Sequence, residues 1–232
     1  MLHTTLVTLA ELSDALAAAR GRNEKRDLVA SRLRALIPTE RAIVIAYLGG
    51  TLAQGKIGVG WAALRDLDAG PPAERASLSV LDVDASLEAL GGVRGKGSTG
   101  ERSRLLGALF GRATERERSY LARLLGGVLR KGADEGVLLE AIAMAASVPP
   151  DAVRRAAMLA GSIPEVGAAA LEAGAAGIAR FSLQPFRPIL PMLASPSEDI
   201  AHAMETLVEA ALDVKLDGAR IQVHKDGTDV RV

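Results

Sequence analysis

The pattern that most restricts the fold is a glycine-rich segment that occurs twice. Residues 48–55 and 125–132 both read Leu-Gly-Gly-x-Leu-x-x-Gly, and they begin 77 residues apart. Each segment follows a run of apolar residues with helical spacing and precedes another. Two independent helix ends in a bundle would give the same pattern, because glycine is the usual residue after a helix. The alternative is an internal duplication, which predicts a helical domain with pseudo-two-fold symmetry.

Apolar residues recur every three or four positions through most of residues 1–180, and this spacing predicts an all-helical domain. The predicted helices are two within 2–36, broken at 21–23, and then 39–48, 61–67, 78–90, 101–112, 115–125, 137–146, 150–160 and 164–179. Predicted N-terminal caps are short polar side chains that can accept a hydrogen bond from first-turn amides. They are Thr39, Asp84 or Ser86, and Thr114.

The composition and spacing of the residues change after residue 180. Residues 181–196 contain four prolines, which exclude a helix and indicate a linker. A helix over 197–207 and then alternating apolar residues predict a short α+β segment over 197–232. The predicted fold class is therefore mainly α, with a pseudo-two-fold helical domain (1–180), a linker (181–196) and the start of a second domain (197–232).

A compact charged group lies in the alternating stretch. Asp213, Lys215 and Asp217 would share one face of a strand, and Asp217-Gly218 would turn the chain into a second strand that carries Arg220. A lysine becomes a nucleophile when it loses its proton, and a nearby cation such as Arg220 lowers its pKa. Gly218 would leave room for a ligand close to the backbone. The stretch therefore predicts a nucleophilic lysine on a β-hairpin.

Lys215-x-Asp217-Gly218-x-Arg220 matches the K-x-D-G-x-R signature of covalent nucleotidyltransferases, which comprise DNA ligases, RNA ligases and mRNA capping enzymes. The longer string VKLDGARIQVH most resembles ATP-dependent DNA ligases of the archaeal and eukaryotic type and their bacterial relatives. The resemblance implies that Lys215 accepts AMP from ATP and that Gly218 and Arg220 contact the nucleotide. Asp213 stands where the family usually has a glutamate that contacts the adenine side. ATP and Mg²⁺ are the implied cofactors, and no metal ligand is expected in this chain.

A basic window lies in the helical region of a chain whose formal net charge is zero. Residues 94–131 contain ten Lys or Arg and three Glu, a net charge of plus seven. Glycine-rich loops let backbone amides approach phosphates, and cations beside them neutralise charge. The segment YLARLLGGVLRKGADEGVLLEAIA resembles the N-terminal helical domain with which these ligases hold duplex DNA across the minor groove. The predicted DNA contacts are Lys56, Arg94, Lys96, Ser98, Arg130 and Lys131.

Other features narrow the class of protein. There is no cysteine, no apolar run of membrane-spanning length, and too few aromatic residues (3%) for a single-strand stacking platform. Residues 91–98 only superficially resemble an ATP-binding P-loop, because Gly97 follows Lys96 where Ser or Thr is required. We expect a soluble, cytoplasmic monomer that binds nicked duplex DNA. The chain stops 17 residues after Lys215, so we also expect it to be the N-terminal part of a longer ligase.

Two alternatives stay open at this point. One is a related nucleotidyltransferase that acts on RNA, either a ligase or a capping enzyme. The other is a non-catalytic DNA clamp in which Lys215 is an ordinary surface lysine.

Overall fold

The computed structural model describes residues 3–55, 57–129, 134–191, 197–207, 209–211, 213–214, 217–219 and 221–232. Within these residues the fold is mainly helical, as predicted. The helices are α1 (Leu6–Ala18), α2 (Arg22–Arg34), a 3-10 helix (Pro38–Glu40), α3 (Arg41–Leu48), α4 (Trp61–Arg65), α5 (Val80–Gly92), α6 (Ser98–Gly111), α7 (Glu115–Leu125), α8 (Glu135–Ala146), α9 (Pro150–Ala160), α10 (Ile163–Ala179) and α11 (Ile200–Thr206). Strands β1 (His224–Asp226) and β2 (Asp229–Arg231) form an antiparallel hairpin.

The cap predicted for α7 is confirmed. The Thr114 hydroxyl accepts a hydrogen bond from the Glu117 amide at 3.4 Å, and the Glu117 carboxylate accepts one from the Thr114 amide at 2.9 Å. This reciprocal capping box satisfies two amides that the helix itself leaves without partners. The local sequence Thr-x-x-Glu therefore sets where the helix begins.

The caps predicted for the helix that starts near residue 78 are wrong. Ser79 is the cap of α5, and its hydroxyl accepts from the Asp82 amide at 3.1 Å while Asp82 accepts from the Ser79 amide at 2.9 Å. Asp84 instead accepts a hydrogen bond from the Gln54 side chain at 2.9 Å, and the Ser86 hydroxyl donates to the Asp82 carbonyl at 2.7 Å. The earlier serine wins because Asp82 completes a capping box with it.

The cap predicted at Thr39 is also wrong. Thr39 lies inside the 3-10 helix, and α3 begins at Arg41 without a side-chain cap. The neighbouring Glu40 is fully buried, and its carboxylate accepts a hydrogen bond from the Thr4 amide at 3.0 Å. This long-range contact holds the entry to α3 in place of a local cap.

The backbone just before α1 pairs with the backbone just before α5. The Leu6 amide donates to the Leu78 carbonyl at 2.8 Å, and the Val80 amide donates to the Thr4 carbonyl at 2.9 Å. Such an exchange of bonds between equivalent positions is what a local two-fold axis produces. In keeping with that axis, α1 packs on α7 and α5 packs on α3.

The two repeated glycine segments end their helices with the same turn. The Thr51 amide donates to the Ala46 carbonyl at 2.9 Å, and the Val128 amide donates to the Arg123 carbonyl at 3.0 Å. The glycine before each donor has a positive φ, 66° and 70°, so both turns are Schellman motifs. Together with the pairing before α1 and α5, this geometry supports duplication and confirms the predicted pseudo-two-fold helical fold.

A second group of helices completes the core. α10 packs on α3, α8 and α9, and α8 packs on α2. A Cβ atom on Gly167 of α10 would lie 2.5 Å from Ile45 Cδ1 and 3.0 Å from Ile142 Cδ1. A larger residue would displace these two isoleucine side chains, so glycine lets α10 lie close to α3 and α8.

The proline-containing segment contacts both the helices and the residues just before the hairpin. The Leu190 amide donates to the Met158 carbonyl at 3.0 Å, at the end of α9. The Gln222 side chain accepts from the Ile189 amide at 2.9 Å and donates to the Ile189 carbonyl at 2.7 Å. The described part of the segment (181–191) is irregular, as predicted.

The hairpin predicted around Asp217-Gly218 is wrong for the residues that the structure describes. Positions 213–214, 217–219 and 221–223 are not in strands, and Lys215, Leu216 and Arg220 lie outside the described residues. The hairpin lies further along, with its turn at 227–228. Val214 and Ile221 are 77% and 65% exposed. A half-buried strand needs a surface to cover its apolar face, and the described chain provides none here.

Among the described residues, no single helix is long and apolar enough to cross a membrane; α8 and α9 would qualify only together, and they are bent by 118°.

Candidate nucleic-acid interface

Three glycine-rich turns meet on one side of the helical domain. We call them the first turn (49–60), the second turn (91–98) and the third turn (125–128). A Cβ atom on Gly91 would lie 3.3 Å from Ile57 Cγ2, and one on Gly58 would lie 3.1 Å from Arg102 Nη1. A Cβ atom on Gly126 would lie 3.9 Å from Cε3 of Trp61, which directly follows the first turn. The first turn therefore lies against the second turn, and the residue that follows the first turn lies against the third.

The second turn leads directly into the N-terminus of α6. Gly95 and Gly97 both have a φ of 85°, a left-handed conformation that glycine adopts without strain. Gly97 is the N-cap and has no side chain that could bond the first amides of α6. Ser98 begins the helix, and Lys96 is exposed beside it. A helix N-terminus carries partial positive charge, so this end of α6 favours an anion.

Arg94 lies on the same turn, although its guanidinium is partly engaged. Its Nη1 atom donates to the carbonyls of Gly91 and, at 2.9 Å, of Val93. Arg102 also donates to the Val93 carbonyl, at 2.9 Å. These bonds fix both cations over the end of α5, and they do not neutralise either charge.

The amides of the first and third turns are less available than the sequence suggested. Those of Gly50, Thr51, Gly127 and Val128 all donate to carbonyls of the preceding helix. The idea that every glycine-rich turn frees amides for phosphates is therefore wrong at these four positions. Schellman turns use these amides to satisfy the end of the helix.

The positive charge that the basic window can offer to DNA is smaller than its net charge of plus seven suggests. Four of the eight described cations in it have carboxylate partners. The pairs are Arg104 with Glu101, Arg112 with Asp82, Arg116 with Glu11 and Asp14, and Arg123 with Asp14. Arg118 is not a solvated surface residue, because it donates to four carbonyls, those of Phe110, Ala69, Gly70 and Pro71. Arg94 and Lys96 are the described cations of the second turn, and Arg102 of α6 donates to the same Val93 carbonyl as Arg94 does.

The sequence-predicted residues divide into two groups. Arg94, Lys96 and Ser98 lie together on the second turn. Lys56, Arg130, Lys131, Lys215 and Arg220 lie outside the described residues, and so their roles stay predictions.

Asp213 and Gly218 are the described members of the predicted nucleotide site, and both are exposed. The Asp213 carboxylate accepts a hydrogen bond from the Val214 amide at 2.8 Å. A Cβ atom on Gly218 would meet nothing within 4 Å. Asp213 and Gly218 are thus open to a ligand, and they do not enclose one.

The described residues include no group of three or more His, Cys, Asp or Glu that could hold a metal ion. A cavity of about 510 Å³ lies between the linker and β1, and its lining includes Gln184, Arg187, Gln222 and His224. Asp213 and Gly218 do not line this cavity. As described, Asp213 and Gly218 therefore do not by themselves form a closed site for ATP and a metal.

Sequence reasoning missed Trp61 and Arg102. Trp61 is 66% exposed although it directly follows the first turn and lies against the third. The one sequence signal for Trp61 is its position directly after Gly58-Val59-Gly60, because a large apolar residue that follows a glycine-rich turn can lie at the surface. Arg102 could not be distinguished from other helical arginines without its contact to Gly58.

Two family comparisons match separate parts of the chain. The family described as "DNA ligase N terminus" matches residues 67–143, which include the second and third turns. The family described as "ATP dependent DNA ligase domain" matches residues 191–232, which include Lys215. The two matches are consistent with a helical domain that is followed by the beginning of a nucleotidyltransferase domain.

Curated relatives agree with these matches. A "Probable DNA ligase" of Anaeromyxobacter sp. (strain Fw109-5) is 52% identical over 228 residues, which span 98% of this chain and 44% of the relative. A "Probable DNA ligase" of Saccharopolyspora erythraea is 47% identical over 232 residues, 100% of this chain and 44% of the relative. The chain thus spans less than half the length of these relatives. The two family matches cover residues 67–143 and 191–232, and the relatives match nearly the whole sequence, so the chain belongs to the ATP-dependent DNA ligase family.

Proposed function

We propose that this chain supplies the duplex-binding domain and the AMP-accepting lysine of a DNA ligase that seals nicks. The observation that carries the proposal is the meeting of three glycine-rich turns beside Arg94, Lys96 and the N-terminus of α6, in a chain that also carries the Lys215 motif. The turns with their cations suit the anionic backbone of DNA, and the Lys215 motif suits nucleotidyl transfer. The proposed division is residues 1–180 for DNA binding, 181–196 as linker and 197–232 as the start of the adenylylation domain.

The proposed DNA contacts read phosphates rather than bases. Lys96 and Arg94 supply charge, and the Ser98 hydroxyl and the first amides of α6 supply hydrogen-bond donors. Lys56, Arg130 and Lys131 extend the same contact surface in this proposal. Phosphate contacts carry no sequence information, which suits an enzyme that must seal nicks wherever they occur. We also propose that the protein acts in the cytoplasm and as a monomer.

The proposed chemistry has three steps. The neutral amine of Lys215 attacks the α-phosphorus of ATP, a P–N bond forms and pyrophosphate leaves. The 5′-phosphate at the nick then attacks the same phosphorus, so that AMP moves to the DNA and the lysine recovers its proton. Finally the 3′-hydroxyl attacks the 5′-phosphorus, which closes the strand and releases AMP.

Each group in the proposed nucleotide site has a defined role. Asp213, Gly218 and Arg220 contact the nucleotide, and Mg²⁺ offsets phosphate charge. Because the described residues do not enclose a nucleotide, we propose that the closed site and the metal ligands require a segment equivalent to the rest of the relatives. We therefore expect the chain alone to bind duplex DNA and to show little or no adenylylation.

The test uses a chimera in which this chain is joined after Val232 to the remaining segment of the Anaeromyxobacter relative. With labelled ATP and Mg²⁺, the chimera should acquire AMP on Lys215 and seal nicked duplex DNA. Lys215→Ala and Lys215→Arg should abolish both activities and leave duplex binding within twofold. A comparison of nicked DNA with nicked RNA duplexes tests the RNA-directed alternative. Unchanged sealing by Lys215→Ala would refute the proposed role of the lysine, and binding without any sealing by the chimera would favour the clamp.

A further inference from the structure

Two large apolar side chains are exposed where the first and third turns meet. Trp61 is 66% exposed and Val128 is 56% exposed. Both lie next to Gly126, because a Cβ atom there would be 3.9 Å from Trp61 Cε3 and 4.0 Å from Val128 Cγ2. Such a Cβ atom would also be 2.9 Å from the Ala122 carbonyl oxygen. Glycine at this position therefore leaves the indole uncovered by a neighbouring side chain.

The apolar pair adjoins cations. The chain that leads into Trp61 passes Arg102, whose guanidinium lies close to Gly58. Arg102 in turn shares the Val93 carbonyl with Arg94. An apolar centre with positive charge on one side is complementary to a duplex groove, in which apolar sugar edges lie between rows of phosphates.

We propose that Trp61, with Val128 beside it, packs against the deoxyribose and base edges in a groove of bound duplex DNA. This inference rests on the proposed duplex binding and adds to it a contact that does not depend on charge. The neighbouring cations hold phosphates, and the indole is covered only when DNA is present. Every nucleotide carries a sugar and a base edge, so the contact needs no particular sequence.

Such a contact has a signature that separates it from a cationic one. Loss of a phosphate contact lowers the magnitude of the slope of log K against log salt by about 0.9. Loss of an apolar contact leaves this slope unchanged, because an apolar contact releases no counterions when it forms. Large aromatic side chains that become covered at an interface are among the residues that contribute most to binding. We expect the weakening from Trp61→Ala to be about tenfold, which corresponds to about 1.4 kcal/mol.

Fluorescence anisotropy of a labelled duplex, measured at several salt concentrations, tests this expectation. Trp61→Ala should bind about tenfold more weakly at every salt concentration, and Trp61→Phe should keep most of the affinity. Leu183→Ala is the matched control, because Leu183 is also exposed (71%) but lies in the linker. It should bind as the wild type does. Thermal melts should show Trp61→Ala folded, because its side chain is mostly exposed.

Trp61 is the only tryptophan in the chain, so its own emission reports on the contact in the unmodified protein. Duplex DNA should change that emission and protect it from quenching by acrylamide, a neutral quencher. If the wild type binds duplex DNA while Trp61 stays fully open to acrylamide and Trp61→Ala binds normally, the inference is overturned and the proposed function stands. If the wild type binds no duplex, the proposed function fails as well.

Discussion

Replacement of Lys96 by alanine should lower the salt dependence of duplex binding, and replacement of Arg116 should not. Both residues belong to the basic window, but their surroundings differ. Lys96 is exposed beside the N-terminus of α6, whereas Arg116 lies 3.2 Å from Glu11 and 3.0 Å from Asp14 of α1. A cation that is already paired with protein carboxylates releases few counterions from DNA.

The expected slope of log K against log salt follows from the number of cations that are available to bind phosphates. Each neutralised phosphate contributes about −0.9 to the slope of log K against log salt. If all ten cations of the window bound phosphates, the slope would be about −9. Arg94, Lys96 and Arg102 alone give about −2.7, and Lys56, Arg130 and Lys131 would bring the slope to about −5.4. The affinity of Lys96→Ala should depend less on salt than that of the wild type. The ratio of wild-type affinity to Lys96→Ala affinity should therefore fall about 3.5-fold as salt rises from 50 to 200 mM.

The assay is fluorescence anisotropy of one labelled duplex at four or more salt concentrations in that range. Lys96→Ala should lower the magnitude of the slope by about 0.9, and Arg116→Ala should leave it unchanged. Arg116→Ala loses exposed ion pairs between α7 and α1, so a stability cost of at most about 1 kcal/mol is expected, which thermal melts would detect. An equal fall in slope for the two variants would show that ion pairing in the protein does not select the DNA-binding cations.

Two further predictions concern stability. The Tyr120 hydroxyl is buried and has no hydrogen-bond partner among the described residues. Tyr120→Phe should therefore raise stability by about 1 kcal/mol and the Tm by about 2–4 °C. Tyr47→Phe is the control without a gain, because that hydroxyl donates to Asp84 at 3.5 Å; a lower Tm for Tyr120→Phe would contradict the reasoning. The Ser79 hydroxyl and amide, with Arg112 further off, hold the pKa of Asp82 below its ordinary value of 3.8. Because the folded pKa is the lower one, the stabilisation is present above about pH 4 and is lost as the pH falls through the folded value. Asp82→Ala should then cost about 1 kcal/mol in urea denaturation at pH 7 and much less at about pH 2.5, and an equal cost at both pH values would rule out the charged cap.

Helix positions were largely predictable because the forces that set them act within a few residues. The reciprocal cap of Thr114 and Glu117 needs only its own helix, and the Gly126-Gly127 stop needs only the last turn of α7. The duplication could be seen for the same reason, since both copies use the same local signal. The motif at Lys215 predicts a chemistry rather than a position, and the roles of its residues stay predictions.

The strand prediction at 213–223 was wrong for a physical reason. Alternation of apolar and polar residues indicates that a strand can form, but a strand is stable only when another surface covers its apolar face. Val214, Ile221 and Val223 are all exposed. Among the described residues after 196, the strands that form are the two of the short hairpin, which pair with each other within 224–231.

Only the tertiary structure distinguishes between residues that the sequence presents as equivalent candidates for one role. Sequence placed ten cations in one basic window, but Arg116 is paired with Asp14, 102 residues earlier, and Lys96 is exposed. Sequence likewise suggested Asp84 as a cap, whereas Gln54 holds it elsewhere. The sequence placed Trp61 only at the start of a helix, and the structure shows that its side chain is exposed between two glycine-rich turns. Local periodicity and capping depend on neighbours in the chain, but the partners and exposure of a side chain depend on residues that only folding brings close.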